Sequence, residues 1–463
     1  MKVSLILPPH TFEERYNKKI AKAAGTWPPL GILYIAAILL ENGHKVQVLD
    51  GSKKDFLTIN KELDKFQPDI IGMNVLTFLW NKVKSWTPNL KQRFPNSFIV
   101  VGGTHATVAR EKCLEECKSI DGVILGEAEF ILADLADALE KKKSLSNVKS
   151  FIYKEKDKIK INSEHYERLT DLDKLPFPAR SLIDIYEYIP AAEQYKKLPV
   201  ANMITSRGCP YKCTFCGSGN TKAYFRSPQN VLAEFKFLKE KYKVKDIAIW
   251  DDTFTLDRQR VLDICKLIRQ EKLDIVWSSH SRVNTVDEEL LKAMAGAGCW
   301  KICYGIESLL QKNLNVIRKG STVEQNFNAV KWSQKYGIQA EGSFIFGIPG
   351  ETYEDALQTI ALMKKLNPDY MKCFPFTPLP GTESGEKIEE YGTLMSENTD
   401  NFTENSVVFT PNSMTKEQLQ SLIPKAYKEF YLRPRYLTRY VKNIRSVHDI
   451  KRAIKGFSAV TSL

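Results

Sequence analysis

The sequence predicts an α/β protein: an amino-terminal, doubly wound, five-stranded parallel sheet, then a partial (β/α)6 barrel, then a helical carboxyl-terminal extension. Three observations carry that expectation. Short apolar runs alternate with helical segments over residues 1–140, a more regular strand–helix rhythm begins near Val200, and beyond Gly381 the chain turns polar with helical periodicity. Strands that alternate with helices imply crossover connections and parallel sheets. The expected division is a domain at 1–140, a linker at 141–198, a barrel at 199–385 and an extension at 386–463.

In the first region the strand candidates are 3–7, 46–49, 70–75, 98–101 and 123–125, with helices at 30–41, 57–65, 81–94, 109–116 and 129–141. Pro28-Pro29 opens the first helix and Gly43 follows its end, in keeping with helix start and stop chemistry. Fully apolar strands fit a sheet covered on both faces, and such sheets take ligands outside the carboxyl ends of their strands. Those ends carry Thr77 after the third strand, Gly102-Gly103-Thr104 after the fourth and Gly126-Glu127 after the fifth. Glycine there either admits a ligand close to the backbone or makes a tight turn. Cys113 and Cys117, four apart, would share a helical face; they lack two further metal ligands and read as packing residues.

Residues 141–198 read as a connection with a small hairpin, marked by Lys141-Lys142-Lys143, a polar stretch at 153–160 and Leu175-Pro176-Phe177-Pro178. In the barrel, strands are expected at 201–205, 247–250, 275–278, 301–305, 342–346 and 370–374. Helices are expected at 231–242, 258–270, 287–297, 323–336 and 353–366. Function in such a barrel sits on the loops at the carboxyl ends of the strands. Cys265, Cys299, Cys303 and Cys373 fall inside these elements and read as core. Two further helices are expected at 415–431 and 436–454.

The loop after the first barrel strand reads Ser206-Arg207-Gly208-Cys209-Pro210-Tyr211-Lys212-Cys213-Thr214-Phe215-Cys216. Thiolates spaced Cys-x3-Cys-x2-Cys can supply three corners of a cubane iron–sulfur cluster, which leaves the fourth iron without a protein ligand and open to chemistry. Structural zinc needs four ligands in paired spacings, and no second pair follows. A disulfide framework is not expected in a 463-residue chain with nine scattered cysteines and no export signal.

An apolar fraction of 43% is ordinary for a globular protein. The start, Met1 to Pro9, reads as a strand ended by prolines, and the longest apolar stretch, 30–40, is too short to span a bilayer. Free thiols beside a reducible cluster point to a reducing cytoplasm. The net charge of +12 is uneven: Arg433, Arg435, Arg439, Lys442, Arg445, Lys451, Arg452 and Lys455 stand against Asp449 alone. That tail, with Phe430, Tyr431, Tyr436 and Tyr440, reads either as peripheral contact with an anionic membrane surface or as a solvated helical face.

The cysteine spacing, with Phe215 before the last cysteine, resembles the cluster loop of the radical S-adenosylmethionine (SAM) enzymes. Pro28-Pro29-Leu30-Gly31, Gly43-His44-Lys45-Val46, Val101-Gly102-Gly103-Thr104-His105 and Leu125-Gly126-Glu127-Ala128-Glu129 resemble the cobalamin-binding domain fused to many of them. The whole chain resembles the class B methyltransferases and magnesium-protoporphyrin ester cyclases of that superfamily. The resemblance implies three cofactors: a 4Fe-4S cluster on Cys209, Cys213 and Cys216, SAM chelated by the free iron, and cobalamin. For SAM it implies contacts from Phe215, Asp251 or Asp252, Ser279, Arg282 (to the methionine carboxylate), Glu307, Ser308, Gly347 and Glu351. For cobalamin it implies Thr77, Gly102, Gly103, Thr104, Gly126 and Glu127. Many cobalamin domains carry Asp-x-His-x-x-Gly after the first strand, but here the loop reads Pro9-His10-Thr11-Phe12-Glu13-Glu14. No histidine ligand to cobalt is therefore implied from that loop.

The activity so implied is reductive cleavage of SAM to a 5′-deoxyadenosyl radical and cobalamin-dependent methylation of an unactivated carbon or phosphorus centre. The alternatives are oxidative cyclisation or rearrangement without net methylation, and a non-catalytic electron carrier or redox sensor. An RNA methylthiotransferase would need three cluster cysteines in the amino-terminal domain, which are missing, so nucleic acid is not expected. The expected partners are a small-molecule, lipid or tetrapyrrole-like substrate and an electron donor such as flavodoxin or ferredoxin.

Overall fold

A computed structural model describes residues 1–16, 24–156, 158–163, 165–403 and 406–442. The chain divides into two compact units, one of Met1–Arg15, Pro28–Glu187 and Asn398–Thr403, the other of Tyr16–Trp27, Tyr188–Glu397 and Glu404–Leu463.

The first unit is built on a seven-stranded sheet in the order β2-β1-β3-β4-β5-β6-β7. Strands β1 (Lys2–Leu7), β2 (Lys45–Asp50), β3 (Ile70–Asn74), β4 (Phe98–Gly102) and β5 (Gly122–Ile124) run parallel. Their near-continuous apolar stretches are buried because helices cover both faces. The helix Leu30–Glu41 is apolar on nearly every side and buries eight residues, which is why its pattern shows little amphipathicity. Asp55 caps Phe56–Phe66 by accepting from Thr58 N, and Gln67 ends it in the left-handed region at φ 52°. The core between Phe56–Phe66, Trp80–Arg93 and the sheet takes in Trp80, Trp86, Met73, Val101 and both Cys113 and Cys117.

Four expectations need correction here. The sheet has seven strands, because β6 (Phe151–Glu155) and β7 (Lys158–Ile161) extend it antiparallel from β5. The segment 141–198 is thus no free connector: its first part builds this sheet and residues from Tyr188 onward belong to the second unit. The expected helix at 109–116 is instead two short helices, Thr104–Ala109 and Lys112–Glu116, broken at Arg110 with φ 54°. Cys117 lies beyond the second helix and shares no helical face with Cys113, although both are packing residues: Thr87 Oγ1 meets Cys117 Sγ at 3.0 Å.

The second unit is the expected partial barrel. Its six strands are all parallel, in the order β15-β14-β13-β12-β11-β8. They are β8 (Val200–Met203), β11 (Asp246–Ile249), β12 (Val276–Ser281), β13 (Cys299–Glu307), β14 (Gln339–Phe346) and β15 (Tyr370–Pro375). A small antiparallel pair, β9 (Ser206–Arg207) with β10 (Tyr224–Phe225), follows the first strand. Each crossover helix starts on a side-chain cap: Ser227, Asp257, Asp287, Thr322 and Thr352 accept from the backbone of the first turn. Local chemistry therefore sets where these five helices begin.

The extension is not wholly helical. A short antiparallel pair, β16 (Gly392–Leu394) and β17 (Phe409–Pro411), precedes the helix Lys416–Tyr431. That helix covers the open edge of β15: Tyr431 Oη donates to Met371 O at 2.8 Å and accepts from Met371 N at 2.9 Å. An edge strand with free backbone groups invites mispairing, and a phenol satisfies both groups at once. The helix Pro434–Lys442 begins the expected 436–454 element; Arg445, Lys451, Arg452 and Lys455 of the basic tail lie outside the described residues. Among the described residues no helix is long and apolar enough to cross a membrane.

Candidate cluster and nucleotide site

The cysteine loop is anchored at both ends before any cofactor is considered. Asp251, buried at the end of β11, accepts from Thr205 N at 2.6 Å, Thr205 Oγ1 at 2.5 Å and Ser206 Oγ at 2.7 Å. Its carboxylate is spent on fastening the first strand's exit to the second strand. Asp252 accepts from Gly208 N at 2.9 Å, where Gly208 takes φ 94°, and its side chain remains exposed. Asp251 thus anchors the strand, and Asp252 holds the loop with its side chain exposed.

Inside the loop the backbone folds on itself. Thr221 N donates to Cys209 O at 2.9 Å, Asn220 N to Tyr211 O at 2.6 Å and Cys216 N to Cys213 O at 3.2 Å. Thr214 is pinned from two sides, its N to Ile317 O at 3.1 Å and its O from Ser384 N at 2.9 Å. The loop is thus shaped by its own backbone, and Cys209 Sγ lies 3.7 Å from Thr253 Oγ1. Burial pushes the Cys216 thiol up, and the nearby Cys213 and Asp252 push the same way. Such a thiol needs a metal's positive charge to ionise. Among the described residues no three His, Cys, Asp or Glu side chains lie close enough to share a single metal ion. A cubane makes a different demand, since each of three irons takes one thiolate. The donor set fits that group.

The remaining residues of the nucleotide set divide into two kinds. Some are consumed by the protein itself. Ser308 Oγ accepts from Leu310 N and Asn313 Nδ2, each at 3.2 Å. Glu351, fully buried, accepts from Gly347 N at 2.6 Å and Asn313 Nδ2 at 2.8 Å, and burial pushes its carboxyl up to about 8. Gly347 does not lie open for a base: a Cβ there would sit 2.9 Å from Leu419 of the covering helix. Phe215 packs edge-on to Phe376 at 6.5 Å in an apolar cluster with Ile317 and Ile348. Glu307, at φ 62° beside a register shift in β13, pairs with Lys319 Nζ at 2.7 Å.

Others are left wanting. Ser279 Oγ and Ser281 Oγ are buried with no hydrogen-bond partner. Buried hydroxyls are almost always satisfied, so a polar ligand at the end of β12 would answer a need the protein leaves unmet. Arg282, one residue further on, is turned toward the cysteine loop: Nη1 donates to Cys213 Sγ at 3.3 Å.

Sequence reasoning passed over a charged group on the barrel strands. Lys301 and Lys372 both reach Glu341 at 3.0 Å, and Lys301 Nζ also donates to Glu193 O at 2.7 Å. Although burial opposes ionisation, the two lysines hold the Glu341 carboxyl well below the usual carboxylate range. His280 is exposed to solvent and has these same three residues as electrostatic neighbours. The signal was available: Lys301, Glu341 and Lys372 interrupt strands that are otherwise apolar.

In the first unit, the strand order reverses between β1 and β3, which makes that crevice the ligand position for a sheet of this topology. His10 and Phe78 meet edge-on across it at 5.8 Å, with His10 Nδ1 3.0 Å from Pro8 O. Thr77 opens a short turn there, Gly102 ends β4 beside Ile124, 3.8 Å from where a Cβ would sit, and Thr104 is exposed. Gly103 at φ 95° and Gly126 at φ 72° are needed as glycine, but by Asn74 and Tyr166, whose atoms would each lie 2.2 Å from an added Cβ. Glu127 accepts from Leu169 N at 2.8 Å and pairs with Arg168.

A three-thiol loop on the first strand of a six-stranded parallel barrel defines a radical SAM enzyme, and residues 203–363 match the Radical SAM superfamily. Residues 17–136 match the B12 binding domain. An uncharacterised methyltransferase of Pyrococcus horikoshii is 37% identical over 99% of this chain and 98% of its own length. The anaerobic magnesium-protoporphyrin IX monomethyl ester cyclase of Rubrivivax gelatinosus is 26% identical over 91% of this chain and 77% of its own. In fold, the cobalamin-dependent SAM radical enzyme OxsB superposes with a TM-score of 0.75 at 19% identity, over 98% of this chain and 72% of that one. The methyltransferase TsrM of Kitasatospora setae superposes at 0.68 and 17% identity, over 100% and 88%. The chain belongs to the cobalamin-binding radical SAM family that includes the class B methyltransferases, and its cofactors are a 4Fe-4S cluster, SAM and cobalamin.

Proposed function

We propose that this enzyme transfers a methyl group to an unactivated carbon or phosphorus centre of a small-molecule, lipid or tetrapyrrole-like substrate. The observation that carries the reading is full-length similarity to a methyltransferase in a chain that joins a cobalamin domain to a three-cysteine barrel loop. When bound, the cofactors supply reductive cleavage of a sulfonium and a carrier for methyl. The chain's own residues supply geometry. Asp251 and Asp252 fix the loop on which the thiolates stand, and the unsatisfied Ser279 and Ser281 hydroxyls offer hydrogen bonds to a bound nucleotide. The electron comes from a donor of the flavodoxin or ferredoxin kind.

The test is anaerobic purification with cobalamin supplied, followed by iron, sulfide and cobalt analysis and incubation with SAM under reduction. Wild type should release 5′-deoxyadenosine and form methylated product, and the Cys209→Ala, Cys213→Ala, Cys216→Ala triple variant should do neither. Release of 5′-deoxyadenosine without any gain of a methylene unit in the product would favour the second reading, oxidative cyclisation, which the Rubrivivax relative supports. Protein that holds iron but leaves SAM intact would return the chain to an electron carrier.

A further inference from the structure

Arg282 stands one residue past β12 and is 5% exposed. Each of its three nitrogens has a different partner. Nη1 donates to Cys213 Sγ at 3.3 Å, Nε donates to Asn284 Oδ1 at 3.2 Å, and Nη2 donates to the Lys319 carbonyl. The guanidinium also lies 3.7 Å from the centroid of the Tyr211 ring, in the cysteine loop. Asn284 Nδ2 in turn donates to Gly320 O at 3.0 Å and approaches Tyr211 Oη at 3.4 Å. A buried cation is thus locked against the middle cysteine by Tyr211 of the cysteine loop, by Asn284 and by the Lys319 carbonyl. With Nε and one N–H of each terminal nitrogen already engaged, the Nε–Nη2 edge of the fork is closed to a bidentate carboxylate.

We propose that Arg282 is a positioning residue for the cluster and not the partner of the methionine carboxylate. It holds Cys213 in place and favours the reduced cluster. Reduction adds one negative charge to the iron–sulfur group, and hydrogen bonds to its sulfurs together with a nearby fixed cation stabilise that charge. In a buried setting the cation acts with little screening. Lysine would keep the charge, but as a point donor it cannot reach Cys213, Lys319 O and Asn284 together or stack flat on Tyr211. The proposal rests on the reading that Cys209, Cys213 and Cys216 hold the cluster.

Reconstituted wild type, Arg282→Gln, Arg282→Lys and Tyr211→Leu would be compared anaerobically. Three quantities are read: iron and sulfide content, the cluster midpoint potential by EPR-monitored redox titration, and SAM affinity by calorimetry. Arg282→Gln should move the potential to more negative values. Arg282→Lys should fall between it and wild type, and Tyr211→Leu should shift the same way by less. SAM affinity should stay close to wild type. An unmoved potential with SAM affinity down about tenfold or more, the scale of one lost charged hydrogen bond, would assign Arg282 to the carboxylate and overturn the proposal. If Arg282→Gln loses its cluster, Arg282→Lys and Tyr211→Leu still decide: full iron content with wild-type potential in both overturns it as well. A wild type that binds no iron would instead defeat the cysteine reading beneath it.

Discussion

Replacing Lys319 by methionine probes the second buried cation of the site. Lys319 Nζ sits 2.7 Å from Glu307 Oε1, and the two side chains are 5% and 9% exposed. The pair fills its space completely: a Cβ on Gly305 would fall 2.4 Å from Glu307 Oε1 and 2.7 Å from Lys319 Nζ. Methionine would match the stem and leave the Glu307 charge buried without its partner, a change that costs about 3–5 kcal/mol. For a unit of this size about 2–4 °C is lost per kcal/mol, so the barrel transition should fall by roughly 6–20 °C. Scanning calorimetry of the holoprotein would read it. The double variant Glu307→Gln, Lys319→Met strands no charge and should regain at least half of the loss. A single variant within about 1 kcal/mol of wild type, or a double variant as unstable as the sum of the singles, would refute the argument.

Three further outcomes follow from other parts of the molecule. Gly103→Ala forces a Cβ to within 2.2 Å of Asn74 Oδ1 at φ 95°, so the first unit should lose about 1–3 kcal/mol in denaturant titration, with weaker cobalamin retention. Tyr431→Phe leaves Met371 N and O on the β15 edge without their phenol, and a thermal melt should show a loss of about 1–3 kcal/mol. Glu351 carries a pH signature. Burial pushes its folded pKa up to about 8 from the ordinary 4.5, so its contribution to stability is complete below pH 4.5 and is lost as pH rises toward 8. Wild type should therefore lose stability over pH 5–8 relative to Glu351→Gln, measured by urea midpoints at each pH; parallel curves for the two proteins would contradict the assignment.

Much of the architecture could be read along the chain. The barrel strands were expected at or within a few residues of where they lie, because buried parallel strands are short apolar runs separated by helical segments. The β6–β7 hairpin was legible as a hairpin, but its partner was not, since pairing with β5 depends on which sheet edge lies open in space. The break at Arg110 escaped because one left-handed residue ends a helix without changing its apolar period.

The site divides along the same line. Which residue types gather near the strand ends was visible in the sequence: three thiols, two aspartates, the Ser-His-Ser-Arg run, glutamates and glycines. What each carboxylate and guanidinium is bonded to was not. Asp251 or Asp252 reads as a SAM contact, and Asp251 is also the clasp of Thr205 and Ser206; Gly347 reads as a SAM contact and lies against Leu419. Arg282 reads as a carboxylate partner and points at Cys213. Chain order alone determined the kinds of chemistry available and the loops that carry them, because spacing and local capping act within a few residues. Only the tertiary structure decided which polar groups are already satisfied and which remain for a cofactor, because a hydrogen bond is chosen by direction and distance across strands far apart in sequence.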